Sequence, residues 1–161
     1  MLILDRLSRV TNRWIEFILF GLGAAMAIIV AVQVFSRYVL NHSLFWSEEL
    51  ARYILVWLTF LGASVAYRRN LHPAVDIFYA MLDAPKKKIV TIFIHLVSIM
   101  FFGIMIIFGC QFASFVKLQI SPALSLPKWT ILSIIPLSGM VMMIHGLAFL
   151  LAEMTGGRRD R

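Results

Sequence analysis

Long apolar stretches alternate along the chain with short polar segments that are mostly basic. Four stretches carry almost only apolar side chains over about 20 residues or more, and they are residues 14–35, 46–66, 89–108 and 129–151. About 20 such residues in helical conformation cross a hydrocarbon layer of about 30 Å. The pattern therefore predicts an all-α integral membrane protein with four transmembrane helices, in which residues 1–161 form a single membrane domain.

Two further segments have the alternation of a short amphipathic helix. In residues 1–13, apolar positions are interleaved with Asp5 and three arginines, which favours a helix lying in the inner interface. Residues 72–88 (HPAVDIFYAMLDAPKKK) have apolar positions at helical spacing, with Pro73 suited to the first turn and Pro85 to the end. The first span is longer than the roughly 7–15 apolar residues of a cleaved signal peptide, so we expect an uncleaved helix.

The outer connections differ in length. Residues 37–45 form a short link, whereas residues 110–129 form a longer one whose first part we expect to extend the third helix. Pro122 and Pro127 favour extended or turn structure in the rest. Three tryptophans fall at predicted membrane boundaries, as interfacial aromatic residues do: Trp14, Trp46 and Trp129.

Composition and charge support this interpretation and give it an orientation. Hydrophobic residues make up 61% of the chain, against about 45–50% in soluble domains, and the mean hydropathy is +0.88. Most of the basic residues fall on one side of the predicted spans: Arg6, Arg9, Arg13, Arg68, Arg69, Lys86, Lys87, Lys88, Arg158, Arg159 and Arg161. The positive-inside rule then predicts cytoplasmic termini and a cytoplasmic middle loop.

The net charge of +7 is explained without nucleic acid. Basic residues that flank membrane helices determine topology and attract anionic lipid headgroups. We predict both roles, with membrane lipids as partners, for the middle-loop set Arg68, Arg69, Lys86, Lys87 and Lys88.

The second span opens with a charged segment, residues 46–52 (WSEELAR). Ser47 suits an N-cap, the two glutamates that follow complement the helix dipole, and Glu48 precedes Arg52 by four residues, the favourable order for an ion pair. Capping and snorkelling alone would explain these charges. The other interpretation is a polar seam with a neighbouring helix or a partner, because ionisable groups just inside a membrane usually face protein or water. Arg37, at the end of the preceding span, would belong to that seam.

Two histidines permit a different function. His95 and His145 each lie about six residues from the inner end of their span, so they share a depth in an antiparallel bundle. Facing histidines could ligate haem in a four-helix b-type cytochrome, although bulky residues surround His95 and paired histidines also form ordinary hydrogen bonds. The sequence contains no Gly-rich phosphate loop and no HExxH motif, and the single Cys110 excludes an internal disulfide. We therefore predict no enzyme, no metal and no cofactor.

Residues 35–78 resemble a known family. The segment FSRYVLNHSLFWSEELARYILVWLTFLGASVAYRRNLHPAVDIF resembles the small membrane (Q-type) subunit of TRAP transporters, the tripartite ATP-independent periplasmic systems. The matching positions are Arg37, Tyr38, Trp46, Glu48, Glu49, Ala51, Arg52, Trp57, Leu61, Gly62, Ala63, His72 and Asp76. SPALSLPKW, followed by Pro136 and Gly139, is similar to the later part of that family, so the resemblance covers about residues 23–146.

The resemblance implies a multi-pass subunit of the bacterial inner membrane that binds a much larger M-type permease. In this family the large subunit carries the substrate and sodium sites and moves as an elevator, while a periplasmic binding protein delivers an organic acid. Helix centres with few polar groups and no internal repeat agree with a non-catalytic scaffold that has no substrate site of its own. The chain ends at GGRRDR, from which we expect the two permease subunits to be separate polypeptides.

Residue roles follow from the resemblance and from position. We assign a set to the outer subunit interface or its polar network: Arg37, Trp46, Glu48, Glu49, Arg52 and Trp57. The outer loop 114–128 is a candidate for docking the binding protein. Small residues predicted to permit close helix contacts are Gly21, Gly23, Gly62, Ala63 and Gly139.

Overall fold

Four membrane-spanning helices form an antiparallel bundle. The computed structural model describes residues 2–69 and 84–155. The helices in this part of the chain are α1 (Leu2–Tyr38), α2 (Phe45–Arg68), α3 (Ala84–Phe115), α4 (Lys128–Leu132) and α5 (Ile134–Met154). Helices α1, α2 and α3, and α4 with α5 as a pair, are long and apolar enough to cross a membrane. The predicted fold class is confirmed, whereas most of the predicted middle-loop helix lies outside the described residues.

Helix α1 is longer than the sequence pattern predicts. Residues 2–13 are helical, but they continue into the first span instead of forming a separate interfacial helix. No proline interrupts the segment, and the Asn12 side-chain amide donates to Glu16 Oε1 at 2.7 Å across the predicted boundary. Ser8 and Ile15 are buried on one face of the helix. Contact with the bundle thus directs this segment along the other helices.

The fourth span is divided at Ser133, where the sequence predicts one continuous helix. Pro136 lies three residues beyond the break. Proline has no N–H to donate to the carbonyl four residues earlier, and its ring clashes with that carbonyl. The Ser133 hydroxyl donates to the Thr130 carbonyl oxygen at 2.7 Å. Helix α4 is therefore a separate turn at the end of the bundle that carries the α1–α2 and α3–α4 connections, which is called the outer end; the opposite end is called the inner end.

Helix α2 begins at Phe45, two residues before the predicted N-cap. Leu44 occupies the N-cap position and makes no side-chain capping bond. Ser47 is fully buried, and its hydroxyl donates back to the Leu44 carbonyl oxygen at 2.7 Å. The prediction that Ser47 caps this helix is wrong, because the hydroxyl lies inside the first turn and faces the bundle.

The last span is the centre of the packing. Helix α5 contacts α1, α2 and α3, and a buried cluster of Ile15, Leu61, Val65 and Ile134 joins α1, α2 and α5. In the most hydrophobic window of each span, 50% of the α4–α5 residues are buried, against 6% in α1. Helix α1 therefore presents most of its surface outward.

The glycines likewise differ between the closely packed α5 and the more exposed helices. At Gly109 of α3, an added Cβ would lie 2.9 Å from Cδ of Pro136, and at Gly139 it would lie 3.1 Å from the Ile106 side chain. These glycines allow α3 and α5 to approach closely. Of the glycines predicted for such contacts, Gly139 is confirmed. The other three, Gly21, Gly23 and Gly62, have no such neighbour within 4 Å in the described part of the chain.

Candidate functional site

The outer loop between α3 and α4 folds into a small hairpin over the end of the bundle. Ile120 and Pro127 form an antiparallel bridge. The Ser121 amide donates to the Leu126 carbonyl oxygen at 2.8 Å, and the Lys128 amide donates to that of Gln119 at 2.8 Å. Helix α3 ends at Phe115, so the first part of the outer connection extends this helix as predicted.

Glu49 attaches this hairpin to α2. Its Oε2 accepts from the backbone amides of Ala123 at 2.7 Å and Leu124 at 3.3 Å. Its Oε1 accepts from the Tyr53 hydroxyl, one turn further along the helix. Both carboxylate oxygens are therefore used within the chain. Tyr53 was not among the predicted site residues, although its position four residues after Glu49 places the two side chains on one helix face.

Glu48 faces the other neighbour of α2, which is α1. Its Oε1 accepts from Gln33 Nε2 at 3.3 Å and lies 4.0 Å from Arg37 Nη1. The side chains of Arg37 and Glu48 are 59% and 57% exposed, so this pair is loose and accessible to solvent or a partner. The structure thus places Arg37 beside α2, and a role for these side chains at a subunit interface stays a prediction.

The predicted ion pair between Glu48 and Arg52 is not formed. Glu48 turns to the polar groups of α1 instead, and Arg52 makes no hydrogen bond or ion pair within the described residues. The Arg52 side chain lines a cavity of about 560 Å³ between α2, the hairpin and α4. The cavity is lined by Phe45, Glu48, Glu49, Arg52, Tyr53, Val56, Pro122, Ala123, Lys128, Ile131 and Leu132.

The two predicted tryptophans occupy different environments. Trp46 is exposed in the first turn of α2. Trp57 packs against the buried cluster of Ile15, Leu61, Val65 and Ile134. The structure therefore brings Arg37, Glu48, Glu49 and Arg52 together at the outer end and leaves Trp57 in the interior of the bundle.

A second polar cluster lies at the inner end. Arg68 Nη2 is 3.0 Å from Asp5 Oδ1, and Arg69 Nη2 is 2.8 Å from Glu16 Oε1. The Arg68 guanidinium also lies 5.1 Å from the ring centroid of Phe149. These protein partners were not predicted from the sequence, because the carboxylates lie 63 and 53 residues away along the chain. Contact of the basic residues with lipid headgroups stays a prediction, which also applies to Lys87 and Lys88 in the first turns of α3.

The two histidines make ordinary contacts. His145 is fully buried, and its Nδ1 lies 2.7 Å from the hydroxyl of Ser8, which is also fully buried. The ring of His95 packs against that of Phe149 at a centroid distance of 5.7 Å. This arrangement gives no support to the haem alternative. Within the described residues, no group of three or more His, Cys, Asp or Glu side chains could hold a metal ion.

Comparison with known proteins identifies the transport system to which this bundle is similar. The family model described as "Tripartite ATP-independent periplasmic transporters, DctQ component" matches residues 26–156. The sialic acid TRAP transporter small permease protein SiaQ of Vibrio cholerae is 27% identical over 110 residues, which cover 68% of this chain and 64% of the relative. The C4-dicarboxylate TRAP transporter small permease protein DctQ of Rhodobacter capsulatus is 29% identical over 102 residues, covering 62% and 45%.

A longer protein also matches. The sialic acid TRAP transporter permease protein SiaT of Haemophilus influenzae is 28% identical over 117 residues, which cover 73% of this chain but 19% of the relative. The matched regions thus span less than two thirds of the length of each of these three relatives.

Proposed function

The chain belongs to the DctQ component family of tripartite ATP-independent periplasmic transporters, and from this premise we propose that it is the fixed scaffold of such a transporter. It would bind the large permease subunit and support uptake, driven by an ion gradient, of an organic acid delivered by a periplasmic binding protein. Members of this family are transporter components and not enzymes.

The distribution of polar groups carries the scaffold proposal. Among the described residues, the charged side chains lie toward the two ends of the bundle. Hydroxyl groups of the spans, such as those of Ser64 and Ser138, donate to carbonyl oxygens of their own helix. Transporters of this general class bind substrate near the bilayer midplane with polar groups and broken helices. A bundle without such a centre needs a partner that provides the translocation pathway.

The outward surface of α1 is a suitable contact area for that partner. Large apolar side chains such as Phe17, Phe20 and Phe35 are exposed along it, and Gly21 and Gly23 leave space for close approach of another helix. Arg37, whose side chain is 59% exposed at the outer end of this surface, would add a polar contact. The alignment with one part of the longer SiaT protein supports a permanent association, because that part is continuous with a larger permease chain.

The substrate class and the orientation also belong to this proposal. The two small relatives described above are named for sialic acid and C4-dicarboxylates, both of which are carboxylates. A sodium gradient is the proposed driving force. Five arginines lie at the inner end, near the start of α1 and the end of α2: Arg6, Arg9, Arg13, Arg68 and Arg69. The positive-inside rule would place this end in the cytoplasm.

Purification and reconstitution test the scaffold role. The tagged chain, solubilised from its native membrane in mild detergent, should carry the large permease in stoichiometric amount. Liposomes that contain both subunits should accumulate a carboxylate when the binding protein and an inward sodium gradient are added. Replacement of sodium by choline should abolish uptake. Accumulation by the small chain alone would contradict the scaffold role, and sodium-independent uptake would contradict the proposed coupling ion.

A further inference from the structure

The outer cavity combines features that no part of the scaffold role requires. It is large enough for a small ligand, since ligand pockets generally measure about 300–1,000 Å³ and this one measures about 560 Å³. Its lining combines charged side chains of α2 with the apolar side chains of Val56, Ile131 and Leu132. We propose that this cavity binds the headgroup of a zwitterionic phospholipid of the outer leaflet, with its primary ammonium at Glu48 and its phosphate at Arg52.

The depth of Arg52 is the first argument. Helix α2 has 24 residues and is therefore about 36 Å long, about 6 Å more than the hydrocarbon layer. Arg52 lies about 10 Å along the helix from Phe45, which places its Cα about 7 Å inside the hydrocarbon boundary for a centred helix. A cation at this depth is costly unless it reaches water or an anion. Because Arg52 has no protein partner within the described residues, a lipid phosphate would supply the missing anion.

The order of groups along the cavity is the second argument. Glu48 lies one turn outward from Arg52, about 6 Å along the axis, and Val56, which also lines the cavity, lies one turn inward. A phosphatidylethanolamine in the outer leaflet presents the same sequence from outside to inside, namely ammonium, phosphate and acyl chains. Lys128, whose ammonium donates to Gln119 Oε1 at 3.3 Å, is a second cation in the cavity lining.

The two glutamates distinguish this lipid from an anionic one. Glu49 uses both oxygens on the hairpin and on Tyr53, whereas Glu48 has only Gln33 and the loose Arg37 contact. Glu48 can therefore accept from an added ammonium group. It would repel a headgroup that has only negative charge, and a quaternary ammonium could not donate a hydrogen bond to it.

Native mass spectrometry of the delipidated complex of this chain and its large permease provides the test. Dioleoyl phosphatidylethanolamine, phosphatidylcholine and phosphatidylglycerol would be added separately. We expect retention of one phosphatidylethanolamine with about tenfold or higher preference over the other two lipids, since a charge-assisted hydrogen bond is usually worth that factor or more. Retention of phosphatidylglycerol in preference to phosphatidylethanolamine would overturn the proposal.

Variants assign the binding to the cavity. Arg52→Gln should reduce phosphatidylethanolamine retention about tenfold, Arg52→Lys should preserve it, and Glu48→Gln should remove the preference over phosphatidylglycerol. Arg13→Gln, which removes an arginine at the opposite end of α1, is the matched control and should change nothing. Unchanged retention in Arg52→Gln would refute the site. If that variant instead keeps the lipid and loses affinity for the periplasmic binding protein, the cavity docks a protein and the lipid assignment is wrong.

Discussion

The inner and outer ends of the bundle both carry charged residues, but they use them differently. At the inner end, three polar side chains of α1 contact distant parts of the chain. Asp5 contacts Arg68, Ser8 contacts His145, and Glu16 contacts Arg69. At the outer end, Glu49 is fully used within the chain, while Arg37 and Glu48 form a loose exposed pair and Arg52 has no partner among the described residues.

This difference separates side chains that assemble the fold from side chains that are available to a partner. Removal of the partner of a buried polar group is costly, so the buried contact between Ser8 and His145 fixes α1 against α5. Exposed ion pairs contribute little to stability, so the outer charges have little effect on folding and can serve binding. The four predictions below test this separation, beginning with the largest expected effect.

Replacement of the inner histidine should have the greatest effect on stability. His145→Ala would leave a cavity at a fully buried position and would remove the partner of the Ser8 hydroxyl. We expect the free energy of unfolding to fall by about 2–4 kcal/mol, as measured by denaturation in mixed micelles. His42→Ala in the exposed outer link is the matched control and should be neutral. Equal effects of the two variants would contradict the difference between the ends.

Loss of the inner arginine should have an intermediate effect. Arg68→Met keeps apolar contact with Phe149 but removes the pair with Asp5, and the Arg68 side chain is only 16% exposed. Because Asp5 retains Arg9 at 2.7 Å, we expect a loss of about 1–2 kcal/mol, measured in the same micelles. Arg69→Met, at a 55% exposed side chain, should cost less. A larger effect of Arg69→Met would show that exposure does not rank these pairs.

Replacement of Glu49, but not of Glu48, should change hydrogen exchange in the hairpin. Glu49→Gln places an amide group where the carboxylate accepts from Ala123 and Leu124. We expect roughly tenfold faster hydrogen exchange at these two amides, because part of their acceptor strength is lost. Glu48→Gln should leave exchange in the hairpin unchanged. Equal acceleration in both variants would show that the two carboxylates do not have separate roles.

The outer ion pair should have the smallest effect on folding. Arg37→Ala removes a contact of 4.0 Å between two exposed side chains, so the free energy of unfolding should change by less than about 0.5 kcal/mol. If this surface contacts the large permease, reversal of charge by Arg37→Glu should reduce co-purification of that subunit and uptake in liposomes. The binding protein's own affinity for substrate should stay the same. Normal assembly and uptake in Arg37→Glu would remove Arg37 from the proposed interface.

Sequence patterns predicted the spans well because each depends on its own composition. The boundaries shifted where local geometry intervened. Helix α1 extends to Leu2 because nothing interrupts it, and the last span breaks at Ser133 because Pro136 follows. The start of α2 at Phe45 moved Ser47 from a cap into the first turn. Each shift is a matter of two or more residues that hydropathy cannot resolve.

The polar clusters were predictable only in part. The charged segment of residues 46–52 was predicted as a polar cluster because its charges adjoin an apolar run. The contacts between Ser8 and His145 and between Asp5 and Arg68 join residues 137 and 63 positions apart. Helical periodicity indicates which face a side chain occupies, but not which helix packs against that face. These partners therefore can be identified only from the packing of the helices in the structure.

The unbroken α1 has a mechanical consequence. At 37 residues, it is about 55 Å long, well beyond the roughly 30 Å of hydrocarbon, and it contains no proline. Its first turns are fastened to α2 and α5 through Asp5 and Ser8, and its last turn carries Arg37 at the opposite end. A force applied at one end of α1 is thus transmitted to the other end through one continuous helix. A partner that contacts its outward surface would therefore meet a helix that resists bending along its whole length.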